Sequence, residues 1–193
     1  CGQPKLGYGS AEGCVNAVKN PNYCVRYKAW NALHKMGSKA EKELMKMFLS
    51  KNLRHRARAL WLMGKIEGRS AHFVDMASKD QDPNIRILAL RLARQTGTPL
   101  IKIIEKMTSD TSAKVRRECA ISLTHLRGDK KASLWASLAI NHDAGDRWSL
   151  EALGIAAAND WDSCLSSWLK LAGDDWNTDK GKDIIWRSRA KES

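Results

Sequence analysis

The stretch DPNIRILALRLARQTG, residues 82–97, has the pattern of an amphipathic helix, and the rest of the chain repeats that pattern. Arg86 lies just inside the segment, and a small and a large apolar residue follow it at offsets three and four. Arginines recur every thirty or thirty-one residues, at Arg26, Arg56, Arg86, Arg116 and Arg147. One residue type at a constant spacing indicates a repeated structural unit.

Other residues keep the same spacing around the arginines. Offsets three, four and seven lie on one face of an α-helix, so each arginine opens a helix whose apolar face is buried. Short polar residues that favour turns and helix caps precede the arginines, at Asn20, Ser50, Asp80, Asp110 and Asn141. Glycines suited to a helix C-terminus follow them, at Gly37, Gly68, Gly97 and Gly128.

A second helix fits between each glycine and the next turn, in segments such as KAEKELMKMFL and PLIKIIEKMT. The unit is therefore two helices in about thirty residues, and the alternation of a strand is absent. This predicts an all-α protein, an α-solenoid of about five to six two-helix repeats. The predicted divisions are an N-terminal extension, the repeat array and a capping tail, at residues 1–9, 10–172 and 173–193.

The turn residue, a nearby Asp-Pro or Asn-Pro, and the hydrophobic-Arg-x-x-small pattern resemble the HEAT repeat in its short form. This resemblance covers roughly residues 10–172. It implies that the five arginines, with Asp80 and Asp110, form a structural ladder between successive repeats. A side chain at the start of a helix can satisfy turn carboxylates and carbonyls, which also favours a structural role for the arginine row.

Several segments look like the HEAT part of large planctomycete-type exported proteins. They are RYKAWNALHKMG, RARALWLMGKIEG, DPNIRILALRLARQ, DRWSLEALGIAA and KGKDIIWRSRA. Those proteins often join a sugar-dehydrogenase-like propeller, a HEAT array and a c-type cytochrome domain. The resemblance implies a periplasmic or exported location. The chain has no CxxCH motif and no propeller sequence, so no redox chemistry is assigned to it. Because the sequence begins at Cys1 rather than Met, we expect it to be a fragment of a larger protein.

The net charge of +12, from 33 Lys and Arg against 21 Asp and Glu, favours an anionic partner. Offsets one, two and five fall on the solvent side of the arginine helices, which the HEAT resemblance places on the concave face. We predict a basic stripe there with interleaved aromatics, formed by Tyr27, Lys28, Arg58, Trp61, Arg91 and Arg117, with Arg94 close by. The simpler alternative is a solvated polar face.

Catalytic and metal-binding motifs do not occur in the sequence, so we expect no catalytic residues, no metal and no cofactor. The histidines and five cysteines show no zinc spacing, and free buried thiols are expected, with a Cys14–Cys24 disulfide as the alternative. The tryptophans of the last third are expected to pack in the core and cap the array, including Trp161, Trp168 and Trp186. No apolar run approaches membrane-spanning length, so no membrane insertion is expected.

These patterns favour a non-catalytic scaffold that binds an acidic protein or a neighbouring domain of the same polypeptide. The alternative is a nucleic-acid-binding protein, resembling the HEAT-like DNA glycosylases that repair alkylated bases, with Asp143 or Asp146 as the candidate carboxylate. A cytoplasmic location would accompany that alternative.

Overall fold

The computed structural model describes residues 7–190, and the regular secondary structure of that part of the chain is entirely helical. Cys1 and residues 2–6 of the predicted extension, with residues 191–193 of the predicted tail, lie outside the described residues. The α-helices are α1 Ala11–Val18, α2 Tyr23–Met36, α3 Glu41–Phe48, α4 Leu53–Met63, α5 Ser70–Ser78, α6 Pro83–Thr96, α7 Ile101–Met107, α8 Ala113–Ser122, α9 Asp129–Ile140, α10 Arg147–Ala157, α11 Trp161–Ala172 and α12 Asp179–Arg187. Short 3₁₀ helices occupy Gly37–Ala40, Leu123–His125 and Gly173–Asn177.

The arginine helices α2, α4, α6 and α8 begin at residues thirty apart along the chain. Asn22, Asn52 and Asp82 cap three of them; the two asparagines each accept from two backbone N–H groups of the first turn, and Asp82 accepts from one. Such caps satisfy donors that have no partner inside the helix. The fourth residue of each of the four helices is an arginine of the predicted row.

Arg147 departs from this register. The connection before α10 is six residues long, residues 141–146, so that Arg147 is the first residue of its helix rather than the fourth. The fourth residue is Leu150, which is buried, whereas Arg147 is exposed. The prediction that Arg147 is equivalent to the other four arginines was therefore wrong, because the longer loop shifts the start of α10.

Each arginine helix packs against the helix before it in the pairs α1/α2, α3/α4, α5/α6 and α7/α8. Consecutive arginine helices also touch, from α2/α4 through α4/α6 and α6/α8 to α8/α10. The small residues at offset three of these helices, Ala29, Ala59, Ala89 and Cys119, are fully buried. A small side chain lets two helix backbones approach closely, which is why offset three is small in all four helices.

The C-terminal helices bury tryptophans in a different packing arrangement. Here α9 packs chiefly against α11, and α12 lies against α10 and α9. Trp135 and Trp161 meet edge to face at 5.7 Å between ring centroids, and Trp168 is also buried. Trp186 is instead 74% exposed, and its neighbour Ile184 is the buried side chain of α12. The expected packing of Trp186 was wrong because the helical register turns Ile184 inward.

None of the helices within residues 7–190 is long and apolar enough to cross a bilayer.

Candidate functional site

The arginines of the row, Arg26, Arg56, Arg86 and Arg116, form hydrogen bonds and ion pairs with the turns that precede the arginine helices. Arg86 donates two hydrogen bonds to the carboxylate of Asp110, from Nε to Oδ2 and from Nη2 to Oδ1, each 2.8 Å long. Its Nη1 also donates to the backbone carbonyl of Asp80 at 2.8 Å. Arg56 also pairs with the carboxylate of Asp80, but through Nη2 alone, because its Nε donates to the backbone carbonyl of Phe48 at 3.0 Å. Each of these arginines thereby links its own helix to the turn 24 residues later in the chain.

Asp80 and Asp110 stand six residues before Arg86 and Arg116 in the sequence, but their carboxylates do not bind those arginines. Arg86 and Arg116 contact those residues through the backbone carbonyls, while the carboxylates bind the preceding arginines. The turns explain this arrangement, because Asp110 Oδ1 also accepts the N–H of Ser112 at 2.8 Å. That bond fixes the carboxylate away from Arg116, the next arginine of the row.

Arg116 and Arg26 end this row of ion pairs differently. Arg116 pairs with the carboxylate of Asp143, in the longer loop before α10. Arg26 has Ser50 at the position 24 residues later, so no carboxylate is available there. Its guanidinium donates to the backbone carbonyls of Asn20, at 3.0 Å, and Pro21. Within residues 7–190, Arg26 has no carboxylate partner.

Part of the predicted basic stripe is neutralised by carboxylates. Glu118 is 5% exposed; it accepts a hydrogen bond from Arg91 Nη2 at 2.8 Å, and its Oε1 forms an ion pair with Arg94 Nη2 at 2.8 Å. Arg117 Nη1 lies 4.0 Å from Asp146 Oδ1. Sequence reasoning missed Glu118, although a signal was available: it occupies the same repeat position as Lys28 and Arg58, with the opposite charge. The stripe is therefore less basic along α6 and α8 than its arginines suggest.

The remaining stripe residues lie on α2 and α4. Tyr27 and Lys28 are exposed, whereas Trp61 is half-buried against the core. Arg58 Nη1 donates to the backbone carbonyl of Val18 at 2.9 Å, which connects α4 to the end of α1. Within the described part of the chain, Arg58 also lacks a carboxylate partner.

Tyr27, Arg58 and Arg26 line one pocket of about 410 Å³ between α2 and α4. Its other lining residues are Val18, Tyr23, Trp30 and Asn31. The Tyr23 and Tyr27 rings stack with centroids 6.2 Å apart, and the Arg26 guanidinium lies 5.8 Å from the Tyr23 ring centroid. The pocket thus combines two arginines with three aromatic side chains.

Positive charge is concentrated in the part of the chain that forms this pocket. Residues 7–66 carry twelve Lys and Arg against three Glu, whereas residues 67–190 carry nineteen against seventeen Asp and Glu. Burial and the neighbouring Arg26 and Arg54 lower the pKa of Arg58. Burial, Arg58 and Lys19 likewise lower the pKa of His55. Like charges crowd here without compensating carboxylates, which favours an anionic ligand.

The candidate aspartates of the DNA glycosylase alternative have structural partners. Asp143 pairs with Arg116, and Asp146 caps α10 by accepting from the N–H groups of Trp148 and Ser149 at 3.1 Å. Burial raises the pKa of Asp146, but the Ser149 hydrogen bonds, the charge of Arg117 and the Trp148 N–H outweigh it and lower the pKa overall. Both carboxylates are therefore engaged in holding the loop before α10.

Two buried cysteines of the described residues, Cys119 and Cys164, are poorly suited to act as nucleophiles. Cys14, Cys24, Cys119 and Cys164 are free thiols, and only Cys24 is exposed. Burial raises the pKa of Cys164 to about 12 and that of Cys119 further. A thiol with a raised pKa is a poor nucleophile because the thiolate is the reactive form. Within residues 7–190, no three His, Cys, Asp or Glu side chains are grouped as a metal site.

Two contacts made by buried side chains near the C-terminus, those of Lys131 and His142, were also not predicted from the sequence. Lys131 is 2% exposed and pairs with Asp160, which follows α10. His142 is buried, and its Nε2 lies 3.0 Å from Oδ2 of Asp183 on α12. Their partners are 29 and 41 residues away in the chain, so no local pattern reveals them.

A second pocket, of about 520 Å³, lies beside Trp161 and has charges of both signs. Asp160, on its wall, pairs with Lys131, and Arg187 pairs with Glu151. Because these charges neutralise one another, this pocket should attract an anionic ligand less strongly than the pocket between α2 and α4.

A scan against protein-family models finds no match to this chain, and a search of curated proteins finds no significantly similar sequence. The HEAT resemblance therefore remains a prediction from the repeated segments, and functional inference depends on the geometry of the site.

Proposed function

We propose that the chain is a non-catalytic HEAT-like α-solenoid of about five to six two-helix repeats that binds an acidic protein, or an acidic neighbouring domain, through its basic face. One observation carries the functional part of this proposal. Most of the excess positive charge lies in residues 7–66, and Arg26 and Arg58 in that segment have no carboxylate partner within residues 7–190.

The regular arrangement of the helices supports the solenoid. Helices α2, α4, α6 and α8 start thirty residues apart, and each contacts the arginine helix before or after it. The pairs Arg56–Asp80 and Arg86–Asp110 repeat one contact with one sequence separation. Repeated contacts between neighbouring units are typical of solenoids, in which each unit is stabilised by the next.

Charge complementarity would then determine where the partner binds. The stripe residues on α6 and α8 are close to Glu118 and Asp146, so the partner's acidic groups are drawn towards α2 and α4 instead. Interactions between exposed charges are screened within roughly 8 Å at physiological salt. The association should therefore weaken as the salt concentration rises.

An exported location, implied by the resemblance alone, remains part of this proposal.

Nucleic-acid binding is the second candidate, because Tyr23 and Tyr27 are exposed next to arginines. Aromatic side chains beside a basic groove are a common platform for stacked bases. The engaged carboxylates of Asp143 and Asp146 argue against the glycosylase form of this candidate.

A binding assay with octaglutamate as an acidic probe tests the proposed function. Fluorescence anisotropy of the labelled peptide would be measured at low and at physiological salt with the full chain and two double charge reversals. One reverses Lys28 and Arg54, which are exposed in the basic segment, to Glu; the control reverses the exposed Lys180 and Lys182 of α12 to Glu.

We expect Lys28→Glu with Arg54→Glu to weaken binding about tenfold, and the control by less than about twofold. Equal weakening by both variants would indicate a response to net charge alone and would contradict the proposed surface. A labelled oligothymidylate provides the comparison for nucleic acid. Tighter binding of that probe than of octaglutamate at the same salt would replace the acidic-protein proposal with the second candidate.

A further inference from the structure

We propose that the pocket between α2 and α4 is an anchor site that receives a carboxylate and an adjacent aromatic side chain from an acidic segment of the protein partner. This inference rests on the proposed function and deepens it, because it names the chemical group that the basic face recognises.

The two arginines of the pocket retain donors for a carboxylate. Arg26 uses Nη1 for the carbonyls of Asn20 and Pro21, and Arg58 uses Nη1 for the carbonyl of Val18. A guanidinium has five N–H donors, so these bonds leave most of them available. Within residues 7–190, Nε and Nη2 of both arginines make no hydrogen bond. A carboxylate at this position would be held by charge-assisted bonds of the kind that Asp110 already accepts from Arg86.

The row of arginines also indicates that a carboxylate fits at Arg26. Arg56 and Arg86 each receive a carboxylate from the turn 24 residues later, and Arg26 has Ser50 at that position. The charge of Arg26 therefore remains uncompensated within the described part of the chain. An acidic side chain of the partner would compensate it together with Arg58.

The aromatic side of the pocket explains why a bare carboxylate is an incomplete ligand. Tyr23 and Tyr27 are 69% and 57% exposed, although their rings are stacked and positioned one helical turn apart. Trp30, one further turn along α2, is half-buried and lines the same pocket. Tyrosine, tryptophan and arginine are enriched among the residues that dominate the binding energy of protein interfaces. Tyrosine and tryptophan bury a large area while losing little conformational freedom. A planar side chain of the partner would cover these rings.

The size of the pocket and the surrounding charges favour a protein over a nucleic acid. A volume of about 410 Å³ accommodates one or two side chains. A nucleic acid strand would need further unpaired cations at successive phosphates. Along α6 and α8, Arg91 and Arg94 are instead paired with Glu118, so the basic track does not continue. The unpaired cations form a local patch around α2 and α4, and a single anchor in an acidic peptide matches such a patch better.

The test compares two labelled nonapeptides of equal charge, each with eight glutamates and either phenylalanine or glycine at the centre. We expect the phenylalanine peptide to bind the full chain about tenfold more tightly, which corresponds to one well-buried aromatic contact. Changing Tyr23→Ser and Tyr27→Ser together should remove this preference and leave the affinity of the glycine peptide nearly unchanged. Because both tyrosines are exposed, the variant should retain its fold. Trp186→Ser, which removes an equally exposed aromatic from α12, is the control and should keep the preference.

The possible results separate the anchor site from the proposed function. If both peptides bind the unmodified chain with equal affinity, the basic face remains and the anchor site is wrong. If neither peptide binds at low salt, the proposed function itself fails. If oligothymidylate binds more tightly than both peptides and Tyr23→Ser with Tyr27→Ser abolishes that binding, the pocket binds nucleic acid and the acidic-protein occupant is wrong.

Discussion

Arg86 on α6 and Asp110 in the turn before α8 form a two-point ion pair in which Nε–Oδ2 and Nη2–Oδ1 are both 2.8 Å. The two side chains are 13% and 9% exposed, so water screens the pair weakly. The Asp110 hydrogen bond also raises the pKa of Arg86 against the opposing effect of burial. This ion pair therefore connects the helices α5 and α6 to the turn before α8 through largely desolvated charges. It explains why an arginine recurs near the start of each repeated helix.

Removing Arg86 should destabilise the protein far more than removing Arg147, which is the first residue of its helix rather than the fourth. Arg86→Ala leaves Asp110 largely buried without its cation, so we expect a loss of about 3 kcal/mol in the free energy of unfolding. Arg147→Ala removes an exposed side chain and should cost less than about 0.5 kcal/mol. Urea unfolding followed by circular dichroism measures both values. Similar losses for the two variants would contradict the distinction between the two arginines.

The missing carboxylate beside Arg26 can be supplied by substitution. Ser50→Asp places an acid 24 residues after Arg26, the separation found for Arg56 and Asp80, and should raise stability by about 0.5–1 kcal/mol. Ser50→Asn is the control, since it adds a similar side chain without charge. Thermal unfolding compares the two. The substitution should also weaken octaglutamate binding, because it would neutralise one of the arginines of the pocket.

Glu118 should be more important for stability than an exposed glutamate that forms one ion pair. Glu118→Gln leaves Arg91 and Arg94 without a charged partner next to a buried amide, and we expect a loss of about 2 kcal/mol. Glu105, which pairs with Lys130 and is 38% exposed, provides the comparison. We expect Glu105→Gln to cost less than about 0.5 kcal/mol in the same urea titration. Equal losses would show that the burial of Glu118 contributes nothing.

The Lys131–Asp160 pair predicts a large effect from a small change. Asp160→Asn preserves the shape of the side chain but leaves the ammonium of Lys131, 2% exposed, without a counter-charge. We expect destabilisation by about 3–5 kcal/mol, as is typical when one member of a buried pair is removed. Asp174→Asn changes an exposed aspartate of the adjacent 3₁₀ helix and should be nearly neutral. If Asp160→Asn is additionally combined with Lys131→Met, most of the lost stability should return.

Acid should weaken the contact between α12 and the loop before α10, because the Asp183 carboxylate that makes this contact becomes protonated. Burial raises the pKa of this carboxyl, but the Gly145 N–H and the hydrogen bond and charge of His142 outweigh that effect, so the folded pKa lies below its ordinary value. A lowered folded pKa contributes stability above the unfolded value, near 4, and loses it as the pH falls through the folded value. Asp183→Asn should therefore be less stable than the unmodified chain at pH 7 and approach it below about pH 4.

Thermal unfolding at intervals from pH 7 to pH 3 measures this difference. Asp75→Asn is the control, because the pKa of Asp75 is also lowered, first by the Lys79 hydrogen bond, but its side chain is 53% exposed. We expect that control to follow the unmodified chain closely at every pH. A stability difference for Asp183→Asn that stays constant down to pH 3 would contradict the proposed contribution of the carboxylate.

The helices were predictable because their signals are local. Asn22, Asn52 and Asp82 cap helices that begin thirty residues apart, and the small residues at offset three are buried as the helical period requires. The register of Arg147 was not predictable in this way. Its spacing from Arg116 differs from the regular spacing by only one residue, yet the loop before α10 moves it from the fourth helical position to the first.

The sequence by itself determined the helical class, the thirty-residue spacing and the concentration of positive charge before residue 67, since these depend on residue type and local order. Only the tertiary structure decided which charges remain available. Arg91 and Arg94 meet Glu118 across helices, while Arg26 and Arg58 meet backbone carbonyls and converge with Tyr23 and Tyr27 at one pocket. Charge pairing depends on distances of a few ångströms between residues far apart in the chain, and a linear pattern does not contain those distances.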